Sequence, residues 1–317
     1  MYNTAEQPKN YDFVPFPASV KNTYITDMKK RRGNNSGYAE IEITTVDNLY
    51  IGSGFSHYEA GKGILSETQK IIPASSLKGS VRQIARAVSD GCIPQDKMEI
   101  PVFDRKGDTV KEVRRGITVN KAEKKPPLLT AKQRKKCDVK DKTEICIICD
   151  MFGTMSLGSK VRFTDLKAEK CPTETVKMPQ QFSPNTASDD YWYIGDDNKP
   201  YYKGYKFYYT YCEPREVQRN ETVSVIRKNV TFKGRVYFND LFDDQLELLL
   251  YSLGVGKNIS LKLGGYKADG FGTVKTSCTE LIVNDKKRNA YELANKYAKD
   301  NADILEEIED ILCYRER

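Results

Sequence analysis

Histidine is nearly absent from this sequence. The chain has 317 residues and one histidine, His57. A metal centre built on several imidazoles is thereby excluded, and a hydrolase with a histidine base would have to be built on His57. Long apolar runs are also missing. None approaches the ~20 residues of a membrane-spanning helix. Met1 to Glu6 show no basic region followed by an apolar one, so no secretory signal is expected and the chain reads as cytoplasmic. Eight cysteines in such a chain read as thiols or metal ligands rather than as disulfides.

Charged residues make up 30% and hydrophobic residues 39%, which places the chain among globular proteins rather than disordered ones. Its length suits one large domain or two small ones. Lys and Arg outnumber Asp and Glu by 51 to 44, a net charge of +7. The excess is uneven. Residues 105 to 142 hold Lys124-Lys125 and Arg134-Lys135-Lys136, whereas the C-terminal Glu306-Glu307 and Glu309-Asp310 are acidic. A basic patch favours a polyanionic partner, and a solvated insertion is the alternative.

The densest glycine stretch is Leu261-Lys-Leu-Gly264-Gly265-Tyr266-Lys267-Ala-Asp-Gly270-Phe-Gly272. Glycine at this density means tight turning or a backbone that passes close to something. The lysines and aromatics suggest an anion with flat faces, which fits nucleic acid, while a tightly turned hairpin remains open. Earlier, residues 38 to 49 alternate with the period of a half-buried strand and run into a turn at Gly52-Ser53-Gly54, with a polar loop expected from Phe55 to Lys70. A helix then follows Ile72-Pro-Ala-Ser75-Ser76. Ser75 or Ser76 suits its N-cap, Leu77, Val81, Ile84 and Val88 share one face, and Lys78, Arg82 and Arg86 form a basic stripe on another. The amide groups that open such a helix can take a phosphate; an ordinary amphipathic surface helix explains the same pattern.

Cys137-x8-Cys146-x2-Cys149 has zinc-ligand spacing, since a CxxC loop lets two thiolates converge on one ion. Cys137 supplies a third ligand. For the fourth, Cys92 ranks first, Cys171 second and His57 last. A redox pair and simple buried thiols are the other readings. After the cysteines, Val161, Phe163 and Leu166 are expected to face a core with Lys160 and Arg162 opposite. A tyrosine-rich stretch at 172 to 212 reads as a projecting hairpin, and most of its aromatics read as structural. One amphipathic helix is expected at 239 to 252 and one last helix at 288 to 313.

Four of these segments together resemble the CRISPR-associated RAMP superfamily, and more narrowly a backbone subunit of a type III-like class 1 effector complex. They are the first strand into Ile51-Gly-Ser-Gly54, the Ser-Ser-Leu-Lys-Gly helix start, Cys149-Asp-Met-Phe-Gly153 running to Asp165, and the loop from Gly264 to Gly272. The resemblance implies an α+β fold: a ferredoxin-like (RRM-like) core with an antiparallel sheet, large insertions, a projecting thumb hairpin and a zinc knuckle. The expected organisation is an N-terminal extension at 1–37, a core domain at 38–287 with insertions at about 92–149 and 172–230, and a C-terminal helix at 288–317. Such subunits stack along a guide RNA (crRNA). The implied partners are crRNA, target RNA, copies of the chain itself, other CRISPR effector subunits and a separate nuclease. The implied cofactor is structural zinc on Cys92, Cys137, Cys146 and Cys149. The implied RNA-binding residues are Gly52, Ser53, Gly54, Ser75, Ser76, Lys78, Arg82, Arg86, Lys160, Gly264, Gly265, Tyr266, Lys267, Gly270 and Gly272.

The match departs at catalysis. Type III backbone subunits cut target RNA with an aspartate between the first strand and first helix. Residues 52 to 70 contain no aspartate. His57, Glu59 and Glu67 are the only acid–base candidates there, and none is assigned a catalytic role. The expectation is a subunit that binds RNA without cutting it. The alternative is a metal-dependent endoribonuclease of the same family.

Overall fold

The alternating segment becomes the centre of the molecule. In the computed structural model, residues 9–16, 23–25, 31–59, 63–93, 137, 144–179, 191–194, 200–212, 220–256 and 258–313 are described. The first half supplies β1 (Tyr11–Val14), β2 (Thr23–Ile25), β3 (Asn35–Thr45), β4 (Gly52–Glu59), β5 (Gly63–Thr68), β6 (Ile71–Ile72), α1 (Ala74–Ala87), β7 (Glu144–Cys146) and α2 (Ile147–Phe152). The middle adds β8 (Val161–Phe163), β9 (Leu166–Lys167), β10 (Thr173–Pro179), β11 (Trp192–Ile194), β12 (Pro200–Tyr202), β13 (Tyr205–Tyr208) and β14 (Asn220–Ile226). The last part holds β15 (Thr231–Leu241), α3 (Asp243–Ser252), β16 (Leu261–Lys262), β17 (Thr273–Val283), β18 (Lys286–Arg288), α4 (Ala290–Asp300) and α5 (Ala302–Leu312).

The main sheet runs β16-β17-β3-β15-β9-β6, with β8 also on β15 and β18 on β17. Its strand pairs are antiparallel, and Ile41 of β3 lies between Gly234 of β15 and Cys278 of β17. Ala39, Ile41 and Ile43 are buried on one face of β3, because successive side chains of a strand point to opposite sides. Helices α1 and α3 share that core through Leu77, Val81, Ile84, Leu246, Leu249 and Leu250. Along the chain the order is β3, α1, β8 with β9, β15, α3, β17.

The other face of β3 is polar and internally paired. Lys233 meets Glu42 at 3.0 Å, Lys287 meets Glu280 at 3.7 Å, and Arg235 pairs with Glu40 while its guanidinium lies over the Tyr38 ring. Arg235 and Lys233 sit directly opposite those glutamates in the register. Cross-strand pairing of this kind offsets those three cations, while Arg162, Lys167 and Lys275 are exposed on the same face.

Several expectations need correction. Residues 52 to 68 form neither a turn nor a polar loop but the hairpin β4–β5, part of a second sheet ordered β10-β14-β5-β4. The last helix is two. Asn301 leaves helical geometry between α4 and α5, and its side-chain amide donates to the Tyr297 carbonyl. In the tyrosine-rich stretch, Tyr191, Tyr205 and Phe207 are buried, so these rings are structural. Tyr193 is half exposed and stacks on Tyr201 across the short β11–β12 hairpin. Residues 180–190, 195–199 and 213–219 lie outside the described residues, as does most of the basic insertion. Among the described residues, no helix is long and apolar enough to cross a membrane.

Candidate nucleic-acid interface and metal centre

Helix α1 begins two residues earlier than a Ser75 cap would place it and three earlier than a Ser76 cap. Pro73 is its N-cap, and neither Ser75 nor Ser76 caps it. Pro preorganises the entering backbone, and the Ala74 amide donates to Asp165 Oδ1 at 2.7 Å from the strand side. This leaves Ser75 exposed and Ser76 half-buried in the first turn. Both line a cavity of about 350 Å³ together with Gly264, Lys206, Lys262 and Lys267. Helix start and glycine-rich loop, far apart in sequence, thus share one wall. Lys262 is buried, and its ammonium donates to the Tyr209 carbonyl at 2.6 Å. Burial, and then the charge of Lys262, push Lys267 below the ordinary lysine value. An anion in the cavity would relieve both effects.

The glycines of the loop answer first to the protein itself. Gly264 has φ +75°, and a Cβ there would come within 2.0 Å of the Tyr50 carbonyl. Gly272, at φ +87°, is crowded in the same way by the Leu263 carbonyl. Gly265 and Gly270 approach the Tyr50 ring and the Cys212 carbonyl. Tyr266 is a correction. Its ring is buried and meets Tyr50 and Phe271 edge-on, so it does not offer a face to a base. At the other end of the second sheet, Gly52, Ser53 and Gly54 lie on β4, where Ser53 Oγ donates to the Glu67 carbonyl.

The basic stripe of α1 is also turned inward. Lys78 donates to Ser159 Oγ at 2.9 Å and to the Val161 carbonyl at 3.3 Å. Burial, and then the charge of Arg82, push Lys78 below its ordinary value. Arg82 Nη2 donates to the Gly153 carbonyl at 3.0 Å. Lys160, expected on the outer side of β8, is buried instead and bonds Asp150 Oδ2 at 2.6 Å. Asp150 has no exposed surface. It also accepts from Arg31 Nε at 2.5 Å and from Gln245 Nε2 at 2.6 Å. A buried carboxylate is tolerated only with such partners, and this one pulls Lys160 inward against the local strand pattern. The expected N-terminal extension at 1–37 therefore includes an anchored residue, Arg31.

Cys92, Cys137, Cys146 and Cys149 form one buried group whose sulfurs all lie within 4.8 Å of one another. Cys92 Sγ is 3.5 Å from Cys149 Sγ. Four thiolates at about 2.3 Å from zinc stand about 3.8 Å apart, so the group fits a tetrahedral ion. Cys171 and His57 are not in the group. The Cys146 amide donates to Cys137 Sγ and the Cys149 amide to Cys146 Sγ, which favours charged sulfur. Hydrogen bonds from Cys146, Cys149 and Cys92 hold the Cys137 thiol far below its usual range. The bond to Cys137 in turn pushes Cys146 and Cys149 far above theirs. A bound dication lets all four ionise together.

On the β4–β5 hairpin, His57 Nδ1 lies 3.1 Å from Glu67 Oε1, with both side chains half exposed. Glu59 is the last residue of β4. Phe55 and Tyr58 on the same strand are 74% and 76% exposed.

The family model of the RAMP superfamily matches residues 42–275. The chain belongs to the RAMP superfamily of CRISPR-associated proteins. In this RAMP protein the match begins within β3 and ends within β17, so it spans the serine helix start, all four clustered cysteines and the glycine loop. Helices α4 and α5 lie beyond it. Family membership carries CRISPR-related RNA binding and association with crRNA and effector subunits. A search of the curated proteins gives no match. Sequence reasoning missed Lys206 and Lys262 at the cavity. The only signal for Lys262 was its place between two core leucines, Leu261 and Leu263, in the segment that enters the loop.

Proposed function

We propose that this RAMP protein is a crRNA-binding backbone subunit of a type III-like effector, built on a ferredoxin-like core. The chain order β3, α1, β8–β9, β15, α3, β17 and the spatial order β17-β3-β15-β9 support that core. The observation that carries the functional reading is the shared cavity, where Ser75, Ser76, Lys206, Lys262 and Lys267 meet the glycine loop. Lysine ammonium groups, serine hydroxyls and a close-approaching backbone are the groups that hold phosphates. On the main sheet face, Lys233, Arg235 and Lys287 are paired with Glu42, Glu40 and Glu280. Copies of the chain would stack along the guide and hold it for pairing with target RNA, with structural zinc in the knuckle. Cutting would fall to another subunit or a separate nuclease.

The test is guide-RNA binding across a salt series. Lys267→Ala is expected to weaken binding about tenfold and to reduce the salt slope by about one, since each phosphate contact releases counterions. An unchanged slope would sink the reading.

The His57–Glu67 pair supports one alternative, a metal-dependent endoribonuclease that cuts target at regular intervals. A half-exposed imidazole beside a carboxylate is an acid–base couple. Assembly on guide RNA followed by labelled target distinguishes the two. Regularly spaced cuts lost in His57→Ala would establish the nuclease.

A further inference from the structure

Among the described residues, three polar atoms near the cysteine cluster are buried without a hydrogen-bond partner: Arg82 Nε, Arg86 Nε and the Tyr205 hydroxyl. An orphaned buried donor is costly and needs a cause. Two of these belong to guanidinium groups one turn apart on the same helix, where mutual repulsion adds to the cost. Arg82 is half-buried and repelled by Arg86, and it is drawn by Cys149, Cys92 and Cys146. Tyr205 feels the charge of Arg86 together with Cys92 and Cys146. The bond from Arg82 to the Gly153 carbonyl fixes its guanidinium where α2, the helix that carries Cys149, ends. Among the described residues, no carboxylate pairs with either arginine.

A zinc ion held by four thiolates keeps a net double negative charge. In a buried site that charge must be balanced. We propose that Arg82 and Arg86 are the charge-balancing partners of a tetrathiolate zinc centre on Cys92, Cys137, Cys146 and Cys149. The two guanidinium groups, left without a carboxylate among the described residues, supply two positive charges against that double negative charge. The inference rests on the zinc reading of the cluster. It removes Arg82 and Arg86 from the RNA-binding stripe and makes them positioning residues for the metal.

Zinc-loaded protein, Arg82→Gln/Arg86→Gln, Arg82→Lys/Arg86→Lys and Lys78→Gln are compared for zinc per chain and for the rate of zinc release to a chromogenic chelator. The double glutamine variant is expected to release zinc about 10–100-fold faster, the range seen when partners of metal ligands are removed. The double lysine variant should recover part of the loss, and Lys78→Gln should behave as the parent. The salt slope of guide-RNA binding should not change in the glutamine variant. If the double variant does not fold, Arg86→Gln alone, which keeps the Arg82–Gly153 bond, is read instead. Parent protein that holds zinc, with glutamine variants that release it at the parent rate, overturns the arginine proposal and leaves the zinc reading standing. Parent protein that holds no zinc, and gives no sulfur-to-cobalt charge-transfer band with Co(II), overturns both.

Discussion

The two ends of α1 meet different surroundings. At its start, Ser75 and Ser76 open onto a cavity lined by lysines. Toward its end, Arg82 and Arg86 turn into the protein beside four cysteines. Both ends are basic in sequence, and the same four-residue spacing runs through Lys78, Arg82 and Arg86. What separates them is which groups lie against each charge. The cavity keeps Lys267 half-buried and near a second cation. The cysteine side keeps its half-buried cations near sulfur. A basic stripe on a helix is therefore not one binding surface, because burial assigns each charge its own partner.

Three substitutions probe that contrast. The largest effect belongs to the enclosed side. Asp150→Asn leaves Arg31 and Lys160 buried without their countercharge and should destabilise the fold by about 3–5 kcal/mol. Chemical denaturation measures it, and a loss near zero would mean that the network is not buried as described. Next comes the wall of the cavity. Gly264→Ala places a methyl against the Tyr50 carbonyl at positive φ and should cost about 1–3 kcal/mol. The same variant should weaken guide-RNA binding, because the loop must shift away from Tyr50; intact binding at full stability would detach the loop from the site. The smallest effect is expected on the outer face of the sheet. Glu42→Ala breaks a solvent-exposed pair with Lys233 and should leave both the melting temperature and the guide-RNA affinity within experimental scatter. A marked gain in RNA affinity there would show that the freed Lys233 joins a binding face on the main sheet.

Much of the scaffold was legible because local periodicity carries it. The alternation of residues 38 to 45 marked the central strand, and Leu77, Val81 and Ile84 marked the buried face of α1. The CxxC pair and Cys137 were legible from ligand spacing, and Cys92 was the first choice for the fourth position. The side-chain destinations were less so. Lys160 was read as outward because Val161 and Phe163 point inward, but a carboxylate without solvent overrides strand alternation. Tyr266 was read as a stacking ring because it sits among glycines; its burial against Tyr50 and Phe271 is a long-range packing fact. The hairpin at 52 to 68 was read as a loop because its glycines and polar residues mask the strand signal. The pairing of Ser56 with Ser66 and His57 with Leu65 restores it.

By itself, the sequence determined the positions of the strands and helices with strong period, the cysteine spacing and the glycines that permit positive φ. These are local properties, set by backbone sterics and by the repeat of apolar side chains. Only the tertiary structure decided which cation answers which anion. It brought Cys92 to Cys149, Arg31 and Lys160 to Asp150, and the serine helix start to the glycine loop. Such pairings depend on desolvation, and a group is desolvated only when distant segments close over it.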